Sequence, residues 1–390
     1  MTDVQTEDLP LRGIRVLEFC SVAAGPFCAM LLADMGADVI KIEPPGGDTL
    51  RTWPPISAGF SENFASLNRN KRSVVLDLKL PADLDVALAL CAKADVIIEN
   101  NRPGVMDRLG LGYARLSALR PELVYCSISA FGQSGPRAAE GGFDLTIQAA
   151  AGVMSVTGDS DAPVKCGVPV SDFASGLYGA FTIASALLQA RARGRGAHLD
   201  VPMFGCTLAI GALQTSEYFG TGRSPVKLGS AHPRNAPYQA FRAADGYFAI
   251  AAGNDGLWRD VLRAVQMEPL ADDPRFLSPT LRARHQVALK ALLEEVFVQQ
   301  GVDHWIDVFR SAGVPHSRIN DYARALEDPQ VDHMRWIRDI ELPGGTQTRT
   351  FSSPIRIDGH AVPVRSAPPA LGQHSEEVRR TIGNPQDKQG

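Results

Sequence analysis

The sequence predicts an α/β protein built on a parallel sheet, with a second, smaller domain. Three observations predict it. Short apolar segments alternate with helical stretches through the first 130 positions, the rhythm of strand–helix–strand units. The loops after those segments, CSVAAGP, EPPGGD, ENNRPG and FGQSGP, are rich in Gly, Pro and small polar residues. In parallel sheets, loops at the carboxyl ends of strands are where ligands bind. Finally, 390 residues exceed what one core normally serves.

The elements follow in order. IRVLEF (14–19) is an apolar strand, and PFCAMLLADMGA after it carries apolar residues at helical spacing. DVIKIE (38–43) and SVVLDL (73–78) read as further strands. A helix through ADLDVALALCAKA leads to the strands DVIIEN (95–100) and LVYCSISAF (123–131). From 174 to about 220 the pattern is mostly helical, broken by RARGRGAHLDVPMF, where basic residues and Gly end one helix before a short strand. A Gly/Ser/Pro-rich link (220–237) leads to a second domain, which opens with two strands around an Asp-Gly turn in YQAFRAADGYFAIAAG. Helical sequence then runs to about 330, and the chain ends in strands, a Pro-rich crossing and a short helix.

Composition narrows the function. A formal net charge of −4 provides no basic field for nucleic acid or anionic lipid. The acidic, polar start MTDVQTEDLPLRG is not a secretory or transit signal, and no apolar run reaches membrane-spanning length, so no membrane partner is expected. Cysteines 20, 28, 91, 126, 166 and 206 lack CxxC pairing or His partners at metal spacing. They predict a reducing cytoplasm, no disulfides and no metal. Cys166 lies six residues before Asp172 and reads as a packed thiol rather than a nucleophile. Neither GxGxxG after the first strand nor GxxxxGK[ST] occurs, which argues against nicotinamide and nucleoside-triphosphate chemistry.

The pivotal stretch is VPVSDFASGLYGA (168–180), with Asp172 just ahead of a helix predicted from about Ala174. Read locally, Asp172 is either the helix cap, accepting orphan backbone N–H groups, or a reactive carboxylate. The segment alone leaves both open.

Taken together, LRGIRVLEF…AAGPFCAMLLADMGADVIKIEPPGGD, NRNKRSVVLDLK, DVIIENNRPGVMDRLGLGY, VYCSISAFGQSGP, GGFDLTIQAAAGVMSVTG, VSDFASGLYGA, RGRGAHLDVPMF and PPALGQHSEEV resemble the class III CoA-transferase family, which also contains the α-methylacyl-CoA racemases. The likeness spans nearly the whole chain. It implies a doubly wound, Rossmann-like large domain over 1–225 and a smaller α/β domain over 226–330. A C-terminal segment, 331–390, would return to the large domain. The chain would be ring-like and form an interlocked homodimer.

The resemblance places the catalytic aspartate at Asp172. A carboxylate suits CoA transfer, because parking the acyl group as a mixed anhydride conserves the thioester energy that hydrolysis would waste. An Asp of ordinary pKa, about 3.9, is ionised at pH 7 and needs no general base. Racemases carry a proton-shuttling His where this chain has Phe143, so the reading is transferase, with racemase or a non-catalytic CoA-binding protein as alternatives. By likeness, Asn100, Asn101, Arg108 and Leu109, with Leu76 nearby, line the adenine and phosphate end of CoA. Arg51 and Arg72 offer guanidinium forks for its phosphates. Val22 and Ala23 border the thioester; formyl-CoA transferases have Gln where this chain has Ala23. Phe143, Asp144, Gly229 and His232 fall on the acid side, Asp144 also reading as a structural acceptor and His232 also as a turn stabiliser. Gly229 is the only glycine in GSAHP (229–233), where some relatives carry a glycine-rich lid. No tightly bound cofactor is implied. Acyl-CoA and a small carboxylic acid are the expected partners.

Overall fold

The computed structural model describes residues 3–382. The chain forms two compact units. The first runs to Val153, resumes over Lys165–Arg223 and returns from Pro329, while the second comprises Met154–Val164 and Ser224–Asp328.

In the first unit, β1 (Arg15–Phe19), α1 (Ala24–Asp34) and β2 (Asp38–Glu43) are followed by a small hairpin, β3 (Ile56–Ser57) and β4 (Phe60–Ser61). Then come α2 (Glu62–Asn68), β5 (Lys71–Val75), α3 (Pro81–Cys91), β6 (Val96–Glu99), α4 (Val105–Arg108), α5 (Tyr113–Leu119) and β7 (Val124–Ser129). After α6 (Asp144–Ala150) the chain passes through α7 (Val153–Val156), three of whose four residues belong to the second unit. The long α8 (Val170–Arg193) then leads to β8 (His198–Pro202), α9 (Met203–Ile210) and α10 (Ala212–Thr221).

The six long strands form one parallel sheet in the order β5-β2-β1-β6-β7-β8. This is the doubly wound arrangement, with the strand order reversing between β1 and β6. Alternate residues serve the two faces. Val16, Val96, Ile98, Val124 and Cys126 pack with α1 and α8, whereas Leu17, Ile97 and Tyr125 pack with α3 and α5. Each such side chain contributes roughly 1.5–3 kcal/mol through burial. Helices α1 and α8 approach with backbone contact: a Cβ on Gly176 would sit 2.9 Å from the Ala24 carbonyl oxygen and 2.8 Å from the Phe27 ring.

Three expectations shift. Helix α8 starts at Val170 behind Pro169, not near Ala174, because the fixed φ of Pro (−73° here) suits a helix entry. At 24 residues it is long and apolar enough to cross a membrane by length and composition, contrary to the expectation that no segment reaches that length. Yet Ile183, Ala186, Leu187 and Ala190 lie in the core, the pattern of a helix buried in a protein. Strand β5 starts at Lys71 instead of residue 73, because that charged side chain is fully buried in an ion-paired cluster.

The second unit contains β9 (Tyr238–Arg242), β10 (Tyr247–Ala251), α11 (Asp255–Ala264), α12 (Pro279–Arg284), α13 (Gln286–Phe297), α14 (Val302–Ser311), β11 (His316–Arg318) and α15 (Tyr322–Leu326). The strands form an antiparallel sheet, β11-β10-β9, and β9 turns into β10 at Asp245-Gly246. Its core is aromatic: Phe297 meets Phe248 and Phe241 edge to face, at 5.0 and 5.3 Å between centroids.

The returning segment adds α16 (Pro329–Met334), the hairpins β12 (Ile337–Glu341)–β13 (Gln347–Phe351) and β14 (Arg356–Ile357)–β15 (His360–Ala361), and α17 (Ser375–Ile382). It fastens to the edge strand β5, where the His374 amide donates to the Ser73 carbonyl and Ser375 Oγ accepts from the Val75 amide. The outermost residues of the expected 1–225 and 331–390 segments lie outside the described residues.

Candidate active site

Where the strand order reverses, the loops after β1 and β6 diverge and leave a cleft of about 240 Å³ at the carboxyl end of the sheet. Ser21–Ala24 line one wall and Asn100–Pro103 the next. The end of β7 (Ile128–Ala130), Glu140–Phe143, Met203 and Asp172 complete it. The topology thus gathers Val22, Ala23, Asn100, Asn101, Phe143 and Asp172 from distant parts of the chain.

Asp172 sits in the first turn of α8, half-buried. It is not the cap. That task falls to Asp144, whose Oδ1 accepts from the Ser171 amide at 3.0 Å while its Oδ2 accepts from the buried Gln148 Nε2 at 2.7 Å. Gln148 Oε1 in turn accepts from the Cys166 amide at 2.9 Å, so one relay fixes the approach to Asp172. Burial, and then the charge of Asp144, raises the Asp172 carboxyl from 3.8 to about 7. This corrects the expectation of an ordinary aspartate: at pH 7 about half the molecules carry the charge. Phe143 is 71% exposed, so an aromatic face, with no proton-transfer group, borders the cleft.

Other expected residues are committed elsewhere. Asn100 spends its amide on the Ser21 backbone, accepting at 3.0 Å and donating at 2.8 Å, so it shapes the cleft wall. Asn101 donates its backbone N–H to Glu99 at 2.8 Å. Arg51 forks onto Glu43 at 2.7 Å through both Nε and Nη2 and lies over the Phe64 ring. Arg72 forks onto Asp38 and reaches Glu377 at 3.0 Å, lining a separate groove beside His374. Leu76 is buried in the sheet core. Arg51, Arg72 and Leu76 are therefore not brought into the cleft: the buried Glu43 holds Arg51, the partly exposed Asp38 and Glu377 hold Arg72, and packing holds the leucine. Arg108 is exposed, and no ion pair among the described residues involves it; Leu109 packs against the core beside it. In the second unit, Gly229 adopts φ +60° and its amide donates to Gly158. There the His232 Nδ1 accepts from the Arg234 amide at 3.1 Å and the ring packs on Tyr238, the arrangement of a turn stabiliser.

Sequence reading missed Arg102, an exposed guanidinium on the cleft wall, and Met203. Arg102 follows two asparagines at a strand end, a signal that was available. It also missed Glu18, Lys41, Asp48 and Lys71, buried charges behind the β1 loop, which no local pattern reveals. Among the described residues, no cluster of His, Cys, Asp or Glu is arranged to hold a metal ion.

The sequence profile of CoA-transferase family III matches residues 11–375. A succinate–glutarate CoA-transferase from Agrobacterium fabrum is 37% identical over 387 residues, with 97% of each chain covered. An acetyl-CoA:oxalate CoA-transferase from Acetobacter aceti is 38% identical over 386 residues, again with 97% of each chain covered. The crystal structure of a CAIB/BAIF family protein from Brucella suis superposes with a TM-score of 0.85 at 38% identity, covering 96% of this chain and 99% of that one.

Proposed function

The chain belongs to CoA-transferase family III, and from that premise we propose that it moves CoA between small organic acids through covalent intermediates on Asp172. One observation carries this reading: a half-buried carboxylate, released from capping by Asp144, stands in the switch-point cleft. With its pKa near 7, Asp172 is more basic than an ordinary aspartate, hence a stronger nucleophile, yet still substantially ionised.

In the proposed cycle an Asp172 oxygen attacks the thioester carbonyl carbon, the C–S bond breaks and CoA thiolate leaves. The thiolate then attacks the aspartyl carbonyl of the mixed anhydride, which releases the donor acid and gives an aspartyl-CoA thioester. An acceptor carboxylate attacks that thioester and expels the thiolate again. Attack of the thiolate on the acceptor's acyl carbon yields the new acyl-CoA and restores Asp172. Each step exchanges one acyl bond for another, so no external driving force is required.

The names of the relatives make short dicarboxylates the first acids to try, and Arg102 offers a cation for a distal carboxylate. CoA approaches along the Asn101–Leu109 segment, with Arg108 near its phosphates. Exposed Leu177, Phe181 and Leu188 on α8, with Leu213 and Phe219 on α10, support an assembly of two copies. Six free thiols support a cytoplasmic setting.

The test is a matrix of succinyl-, acetyl- and formyl-CoA against short mono- and dicarboxylates, read by mass spectrometry. The same enzyme given a chiral 2-methylacyl-CoA in D₂O should place no deuterium at the α-carbon. Exchange at a rate comparable to transfer would restore the racemase reading despite Phe143.

A further inference from the structure

Val22 is the residue that asks for an explanation. It lies on the cleft wall with φ +66°, a left-handed conformation that is a genuine outlier for a β-branched side chain. Such strain persists only where the surroundings over-determine it. Here they do. Asp48 Oδ1 accepts from the Val22 amide at 3.1 Å and from the Leu50 amide at 2.9 Å. Its Oδ2 lies 2.9 Å from Lys41 Nζ, which also donates to Glu18 Oε1 and to the Cys20 carbonyl, both at 2.8 Å. Lys71 Nζ meets the other Glu18 oxygen at 2.8 Å and donates to the Pro26 carbonyl at 2.8 Å.

Two ammonium and two carboxylate groups, all buried, thus compensate one another and grip the β1–α1 junction, at Cys20 and Val22 in the loop and at Pro26 in the first turn of α1. Burial alone would lower the Lys41 pKa, but Glu18, Asp48 and Glu43 hold it above its ordinary value, so Lys41 keeps its charge opposite Asp48 at neutral pH, whereas burial holds Lys71 below its ordinary value. Apolar residues of similar volume would often stabilise a core as well as such a cluster. What the charges add is direction: three bonds aimed at one strand–helix junction.

We propose that Asp48, backed by Lys41, is a positioning residue that holds Val22 and Ala23 in the geometry required for acyl transfer to Asp172. The proposal rests on the transferase reading above. It acts through placement, since small displacements of groups bordering a reacting centre cost large factors in rate. Asp48 uses one oxygen to accept from two backbone N–H groups and sets the other, charged and without a hydrogen bond, against the Lys41 ammonium. An amide carries no charge, so Asn must either give up the ion pair with Lys41 or turn its NH₂ toward that ammonium or toward the Val22 and Leu50 amides.

Asp48→Asn is therefore the decisive variant, compared with wild type, Val22→Gly, the double variant Val22→Gly/Asp48→Asn and Asp172→Asn. Glycine enters φ > 0 without strain, so it removes the need for Asp48 to hold that conformation. Asp48→Asn should lower kcat by about tenfold or more, with KM for acyl-CoA moving less than about threefold. The double variant should recover much of that loss, which mere core destabilisation cannot produce. Hydrogen exchange gives a second reading independent of turnover: the Val22 amide should be protected in wild type and exchange about tenfold faster in Asp48→Asn. A wild-type kcat in Asp48→Asn, a double variant equal to the product of the singles, or a rapidly exchanging Val22 amide in wild type would each overturn the proposal. If Asp48→Asn does not fold, the wild-type exchange measurement decides. Full activity in Asp172→Asn would instead remove the nucleophile, and the Val22 exchange rates would still judge the loop.

Discussion

Asp144 Oδ1 accepts a 3.0 Å hydrogen bond from the amide of Ser171, and the same carboxylate, after burial, holds the adjacent Asp172 up at about pH 7. One acid therefore caps α8 and tunes the next. The nucleophile must be ionised, so kcat/KM for acyl-CoA should rise with pH through about 7 and level off above it. Asp144→Asn removes the charge but not the burial, so the acidic limb of that profile should move to lower pH. An unmoved limb would show that Asp144 does not tune Asp172.

Asp172→Asn separates chemistry from folding. The variant should fold and lose orders of magnitude in rate, because a neutral amide is a poor acyl acceptor. Wild type mixed with acyl-CoA alone and quenched should carry an acyl or CoA adduct on the Asp172 peptide, trapped by hydroxylamine or borohydride, and the variant none. Stability follows from the raised pKa. Folded Asp172 keeps its proton up to about pH 7, whereas the unfolded chain loses it near 3.8. Wild-type stability should thus fall relative to Asp172→Asn between about pH 4 and 7, with a constant gap above. Thermal unfolding of both proteins across that range checks the sign.

Arg51 and Arg108 should behave oppositely. Arg51→Ala leaves the buried Glu43 carboxylate without its fork and should cost about 3–5 kcal/mol of stability. Burial opposes ionisation of Glu43, but Arg51, together with Lys41 and Ser73, lowers its pKa below the ordinary 4.5. The stability it contributes is present above 4.5 and lost as pH falls, so acid unfolding of the variant should begin at higher pH. Arg108→Ala should leave the melting temperature in place and raise KM for acyl-CoA with a smaller change in kcat. Equal falls in kcat at constant KM would move the CoA phosphates elsewhere.

Gly176→Ala probes the crossing of α1 and α8. The added methyl meets the Ala24 carbonyl and the Phe27 ring below contact distance, so the helices must part. A destabilisation of about 1–3 kcal/mol by denaturant unfolding is expected. Unchanged stability would mean that the helices can separate at no cost.

By itself the sequence determined the strand–helix alternation, the loops that form the cleft and Asp172 as the residue to test. These are local properties: side-chain periodicity, Gly/Pro punctuation and a short motif survive without knowledge of the partners. Only the tertiary structure decided what the charges do. Glu18 and Lys41 are register partners on β1 and β2, and β5 on the other side of β2 brings Lys71 to the same carboxylate. In sequence Arg51 and Arg72 read as cations for the CoA phosphates and nothing marks the two lysines, because a charge can be buried only when opposite charges reach it from elsewhere. The pKa of Asp172 was hidden for a related reason. It depends on burial and then on Asp144, 28 positions earlier in the chain and joined to that helix only when the protein folds.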